Sequence, residues 1–478
     1  MSGTDAKPIE PTPSQALSLA DSTAIIVGII IGSGIYEIAQ LVAGTSGGFG
    51  ARLAPTGWEQ TAAWGAILGV WLLGGLIALV GAMCYAELAT AFPQAGGTYV
   101  FLSRGLGRSV GFSFAWAEFW IVRPGNVGAI AFVLARYAAQ LLPEAWSRSS
   151  SLQLGIATGA IVVISVLNAI GLQAGKWTQN VLTAAKLVGL AIVILTALTL
   201  RPAAGAALLP AGSTGNLTLA LILVMFAYGG WSDMSFVAAE VRDPRRNIFR
   251  ALLLGTVVVA AIYLAINFAF LLGLGAGGLV RSDAAAAEVM SGRFGALGST
   301  AISLLVVISC LSSLNGLLFT GARVYYALGT EHPVFRWLGS WDEQKGVPLR
   351  SLVVQTIVTL GLVVMFGRDP QGFERLVVFT APFYWGFISL VGVALVVIRL
   401  RGLVAEGTFR VPLFPLSPLF FFATSGAMVV AAVQYAASKI SQETAWQVAW
   451  AAVVLATGIA VGFWDWRAGG TSSPAKHR

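Results

Sequence analysis

Two short stretches of this sequence place glycine, hydroxyl and carboxylate groups inside otherwise apolar runs. Ile-Ile-Ile-Gly-Ser-Gly-Ile-Tyr-Glu occupies 29–37, and Phe-Ala-Tyr-Gly-Gly-Trp-Ser-Asp occupies 226–233. Each glycine weakens a helix interior by about 1 kcal/mol relative to alanine. A break there bares C=O groups on one side and N–H groups on the other. The N–H groups, at the positive end of a helix dipole, attract an anion, and the carbonyls attract a cation. One molecule with a carboxylate and an ammonium on the same carbon satisfies both, which describes an α-amino acid. The sequence therefore predicts a carboxylate on the amides of Gly32, Ser33 and Gly34, assisted by the Ser33 hydroxyl. It predicts an ammonium at the carbonyls of Ile30, Phe226 and Gly229, with Phe226 and Trp231 covering the site as a gate. The alternatives are glycines that serve only close helix packing and rings that serve only packing.

These groups need elements that hold them at membrane depth. Hydrophobic residues make up 57% of the 478 and charged residues only 10%, with a mean hydropathy of +0.80. A water-soluble chain has roughly a quarter of its residues charged, so this composition excludes a soluble globule. A bilayer crossing takes about 20 apolar residues, and twelve such runs are legible, centred near Ile25, Gly74, Trp120, Val163, Val188, Val224, Ala261, Val307, Thr359, Ser389, Ala427 and Val453. The breaks fall in the first and sixth runs. Each therefore opens a block of five crossings, and an odd number inverts the second block relative to the first, as in inverted-repeat transporters.

The expected organisation is a tail 1–16, a first repeat 17–200, a second repeat 213–400, two peripheral spans within 412–466 and a tail 467–478. The polar, Pro-rich start carries no apolar core of a cleaved signal. With both ends cytoplasmic, Lys and Arg favour the inner side by roughly two to one, which accounts for the net charge of +8 without nucleic acid. Cys84 and Cys310 are remote in sequence and the histidines, His332 and His477, fall in a loop and the tail. No metal, cofactor or His-based catalytic centre is expected, so an embedded enzyme is the disfavoured reading.

An ordered series of motifs gives a resemblance. Gly-Ser-Gly-Ile at 32–35 is followed by Val-Gly-Ala-Met-Cys-Tyr-Ala-Glu-Leu at 80–88, Gly-Gly-Thr-Tyr at 96–99 and Ile-Val-Arg-Pro-Gly at 121–125. Phe-Ala-Tyr-Gly-Gly-Trp at 226–231 precedes Glu240 and Asp243-Pro244, and then Ser309-Cys310, Asn315-Gly316 and Arg323. The chain resembles the amino acid–polyamine–organocation (APC) superfamily, and within it the L-type amino-acid transporter family. The resemblance implies an all-α LeuT-type fold of ten core and two peripheral spans, alternating access and sodium-independent exchange of neutral amino acids at a multi-pass site in the cell's inner membrane. It carries Ile30, Ser33, Gly34, Phe226 and Gly229 over as substrate contacts, and the motif positions Ile121 and Ala227 join them. Lys186 matches a lysine standing where sodium-coupled relatives hold an ion. There it would brace the broken first helix against the eighth, with Ser312 or Ser313 accepting its hydrogen bond, or else exchange a proton and make the protein a proton symporter.

Tyr384, beside Pro382 in the tenth run, is expected to reach the substrate or to pack. Glu118 and Arg123 stand five apart, long for a helical neighbour pair, so Arg123 is expected in a structural ion pair, here or on another helix. Glu87 and Glu240 are expected to pair with nearby arginines at an inner gate. Glu37 and Asp233 depart from the family's uncharged residues. They are expected either to face an outer vestibule, favouring a cationic substrate or polyamine, or to cap their own half-helices. Residues 140–152 hold no cysteine, so no disulfide-linked heavy subunit is expected.

Overall fold

The computed structural model describes residues 13–147, 149–200, 209, 215–282, 284–367, 372–404, 407–439 and 445–469. The ends of both expected tails and most of the 201–214 link between the expected repeats lie outside them. The described chain is helical throughout, with only isolated bridges such as Leu17 to Val241. Among the described residues, eleven helical segments are long and apolar enough to cross a membrane. They are Leu19–Glu37, Glu59–Ala91, Arg108–Ala139, Ser150–Ile170, Leu172–Thr199, Leu217–Glu240, Pro244–Arg281, Ala296–Glu331, Leu349–Phe366, Arg375–Leu400 and Leu416–Ala437, called here the first to eleventh spans. Helix Ala445–Gly469 follows, with a shorter apolar stretch over Ala449–Gly462. Twelve runs were expected from the sequence.

The first span starts on a capping box. The Ser18 hydroxyl accepts from the Asp21 N–H, and the Asp21 carboxylate accepts from the Ser18 N–H at 2.9 Å. The α-helix ends at Ile30 and a four-residue piece, Gly34–Glu37, continues beyond the bend. The sixth span breaks likewise: an α-helix to Tyr228, a turn at Gly229 and Gly230, then a 3-10 segment over Trp231–Glu240. A further helix, Ala39–Leu53, was not foreseen. Gly47 and Gly50 let it lie against the second span, where a Cβ at Gly47 would meet the Ile67 side chain at 3.2 Å.

The two halves of the molecule lock near the chain start. Leu17 N–H donates to Glu240 O at 2.8 Å, and Arg242 N–H returns to Leu17 O at 2.9 Å. The end of the sixth span therefore sits beside the beginning of the first, while Glu37 lies past the opposite side of its break. At the crossing between them, Gly230 has φ +117° and an added Cβ would stand 2.7 Å from Ile29. A left-handed backbone and a close neighbour both require glycine there. Gly230→Ala should insert yet lose at least about tenfold in transport, at about 1–3 kcal/mol of local strain. Uptake into proteoliposomes, read against monodisperse elution, checks this.

Candidate functional site

The first break distributes its backbone groups unequally. Ile31 N–H closes the last α turn on Val27 O at 3.0 Å, and Gly32 N–H folds back on Ile30 O at 2.8 Å. The next bond runs from Tyr36 N–H to Ser33 O. Among the described residues, the amides of Ser33 and Gly34 make no backbone bond. Gly32 was expected to share in anion binding through its amide, but that amide is already engaged; the residue contributes space instead.

The carbonyls before the break are met from other spans. Lys186, fully buried in the fifth span, donates to Gly28 O at 2.8 Å, Ile31 O at 2.5 Å and Ser309 O at 3.2 Å. The Ser313 hydroxyl donates to Gly28 O at 3.0 Å. A lysine at this depth costs about 3 kcal/mol on insertion scales, whereas a hydrogen bond to a charged group contributes about 1.5–3 kcal/mol. Three such bonds outweigh the insertion cost, so Lys186 stabilises the break. The sequence led us to expect Ser312 or Ser313 as its acceptor. The main-chain oxygen of Ser309 takes that place, because Ser313 is itself a donor to the first span and the Ser312 hydroxyl lies 3.3 Å from Gln179 and Thr183.

The two breaks face one cavity of about 130 Å³. At about 10–15 Å³ per water-sized position, it has room for roughly ten, comparable with the non-hydrogen atoms of a mid-sized amino acid. Ile30, Gly32, Ser33, Gly34, Phe226, Ala227, Gly229, Asp233 and Tyr384 all line it. Ile30 O already accepts from Gly32 and from the Tyr263 hydroxyl at 3.1 Å. The same hydroxyl lies 3.1 Å from Ala227 O, so one proton serves the ends of both broken helices. Phe226 O accepts only from Gly229 N–H, at 3.2 Å, and Gly229 O takes no backbone bond among the described residues. These two carbonyls retain acceptor capacity. The Tyr384 hydroxyl, of the tenth span, is buried at the same wall.

Two expected contacts lie elsewhere. Trp231 is fully buried against the second span, its ring 3.1 Å from where a Cβ at Gly81 would be, and does not line the cavity. The left-handed turn at Gly230 and the tight 3-10 segment rotate it away from the substrate side. Phe226, 43% exposed, lines the cavity instead, with Tyr384 and Trp385 of the tenth span. Ile121 is buried in a separate apolar cluster with Phe366 and Leu376. The third and tenth spans instead contribute Asn126, Ile130, Val377 and Thr380, which sequence reasoning missed. A polar Asn126 three residues after Arg123 was the available signal.

The expected ion pairs form with more partners than expected. The third span holds a π-turn over Glu118–Val122, which places residues five apart side by side. Arg123 thus reaches Glu118 at 2.6 Å and, across to the sixth span, Asp233 at 2.6 Å. Thr320 donates to the same Asp233 oxygen at 3.0 Å. Glu37 pairs with Arg136 of the third span. The expectation that Glu37 and Asp233 charge a common outer vestibule, or cap their own half-helices, is corrected. They lie on opposite sides of the breaks because the two spans run in opposite directions, and each faces an arginine. Glu87 takes a bidentate pair from Arg399 at 2.6 and 2.8 Å, and Glu240 one from Arg323 at 2.8 and 2.9 Å.

Broken membrane helices that present bare amides and carbonyls to one shared cavity define the class of substrate-binding membrane transporters. The amino acid permease family model matches residues 17–459, and the chain belongs to that family. It is 28% identical over 406 residues to the b(0,+)-type amino acid transporter 1 of Homo sapiens, covering 83% of this chain and 78% of that one. It is 28% identical over 413 residues to the serine/threonine exchanger SteT of Bacillus subtilis (strain 168), covering 86% and 89%. With the Large neutral amino acids transporter small subunit 2 of Homo sapiens the identity is 28% over 358 residues, covering 73% and 64%. The fold is the LeuT-type fold of this superfamily, the protein is an amino acid transporter, and the enzyme reading is set aside.

Lys186→Ala would strand the carbonyl of Ile31 in an apolar interior and leave Gly28 O to Ser313 alone. The variant should reach the membrane but transport below about a tenth of the wild-type rate, as read by labelled substrate uptake; unimpaired uptake would contradict the bracing role.

Proposed function

We propose that this chain exchanges neutral amino acids across the membrane without sodium. The observation carrying this reading is the single cavity faced by free amides at Ser33 and Gly34 and by open carbonyls at Phe226 and Gly229. The substrate carboxylate sits on the former, where the helix dipole adds about 0.3–1 kcal/mol, and its ammonium on the latter. Phe226, Ala227 and Tyr384 border its side chain. Lys186 supplies the fixed positive charge that a bound ion would otherwise provide, which supports sodium independence. The similarity to a bacterial serine/threonine exchanger supports exchange over one-way uptake.

The finer organisation belongs to the same proposal. Residues 17–200 and 213–400 form the two inverted repeats, 412–466 the peripheral pair, and the inner side carries both termini in the cell's inner membrane, consistent with the Lys and Arg bias. With no cysteine at 140–152, the chain works without a disulfide-linked heavy subunit.

One observation favours a second reading. Asp233 lines the cavity and, among the described residues, its bonds all fall on one carboxylate oxygen, so a basic side chain would find an acceptor there. Asp233→Asn separates the two readings, by the ratio of leucine to lysine uptake. A neutral-substrate site predicts a ratio within about threefold of wild type, and a basic-substrate site a rise of tenfold or more. Thermal stabilisation of the purified protein by each of the twenty amino acids tests the site itself. A ligand at 100 times its dissociation constant should contribute about 2.7 kcal/mol. Stabilisation by none would overturn the assignment.

A further inference from the structure

Behind the substrate cavity lies a second, water-sized chamber of about 20 Å³. Thr98, Glu118, Arg123, Ser232, Asp233 and Tyr384 are among its walls, and Asp233 and Tyr384 also border the main cavity. Its charges do not balance. Two carboxylates face one guanidinium, and the side chains of Glu118, Arg123 and Asp233 are only 4%, 3% and 6% exposed. Arg123 spends both its Nε and Nη2 donors on Glu118 Oε1, at 2.8 and 2.6 Å, and its Nη1 on Asp233 Oδ1 and Leu317 O. Among the described residues, Glu118 Oε2 and Asp233 Oδ2 accept no hydrogen bond.

The titratable groups facing Glu118 from the neighbouring elements are few. They are Tyr85 of the second span, Asp233 of the sixth, Tyr325 of the eighth and Tyr384 of the tenth, with Arg123 on its own span. Tyr325 already donates to Phe119 O at 3.0 Å and Tyr85 lies 3.1 Å from the Thr98 hydroxyl. No second cation is among them. An excess negative charge in so confined a space is expensive once its water is lost, and it is then neutralised by a proton or a cation.

We propose that Glu118 and Asp233 share one exchangeable proton, held on the unbonded oxygens at this chamber, and that the proton binds together with a neutral substrate. This rests on the transport site proposed above. Asp233 borders both spaces, so a substrate that fills the main cavity removes the water which otherwise solvates its open oxygen. Occupancy of the site and protonation of the pair therefore favour each other. One proton is taken from solvent when the substrate binds and returned when it leaves, with no bond made or broken in the substrate.

The test uses the full-length purified protein and whichever amino acid stabilises it most. In weakly buffered solution with a pH-indicator dye, the wild type should take up about one proton per bound substrate. Its affinity should be level at acid pH and fall by up to about tenfold per pH unit above the titration of the pair. Glu118→Gln leaves one carboxylate with one guanidinium, so its affinity should be level throughout and its proton uptake lost. Asp233→Asn balances the charges from the other side and should also flatten the profile. Unchanged pH dependence in both variants would overturn the proposal and point to a group elsewhere, such as Lys186. So would a wild type that binds substrate without proton uptake. A wild type that binds no amino acid would overturn the transport site and this inference with it.

Discussion

Backbone opened at membrane depth must find partners, and the ammonium of Lys186 is the group on which the break in the first span depends. In hydrocarbon, each bare peptide group costs several kcal/mol. Here the carbonyls of Gly28 and Ile31 on one side and Ser309 on the other converge on one lysine. Ser313 covers Gly28 as well, and Tyr263 bridges Ile30 and Ala227. The carbonyl side of the first break is thus satisfied within the protein. The amide side, at Ser33 and Gly34, is left open to the cavity. That asymmetry is what suits the open side to the substrate carboxylate proposed above.

The sixth span completes the site by a different route. Its break is turned by Gly230 in the left-handed region, and the segment beyond it is 3-10 rather than α. The tight turn buries Trp231 against the second span and brings Asp233 to the cavity wall beside Arg123. Ion pairs beyond the cavity, Glu37 with Arg136 on one side and Glu87 with Arg399 and Glu240 with Arg323 on the other, join spans remote in sequence. Alternating access requires that some of these contacts exchange partners as the breaks move.

Much of this was legible in the sequence because it rests on composition and local chemistry. Gly32, Gly34, Gly229 and Gly230 announce both breaks, apolar runs announce the spans, and Lys186 stands out as a charge in the middle of one. What was hidden depends on helical phase and long-range pairing. The π-turn at Glu118–Val122 adds a residue to one turn, so a spacing of five became a contact. Trp231 and Ile121 sit in matching motifs, yet the rotation of their segments points them into packing. The pairing of Glu37 with Arg136 joins residues 99 apart, and nothing in either local sequence marks the partner. Helix Ala39–Leu53 was not foreseen, and its glycines permit close contact with the second span.

Countertransport in sodium-free medium tests most directly whether Lys186 takes the place of a bound ion. Proteoliposomes preloaded with unlabelled amino acid should take up labelled substrate at the same rate whether the outer solution contains sodium or choline, and empty vesicles should take up little. A rate that rises with sodium would contradict it.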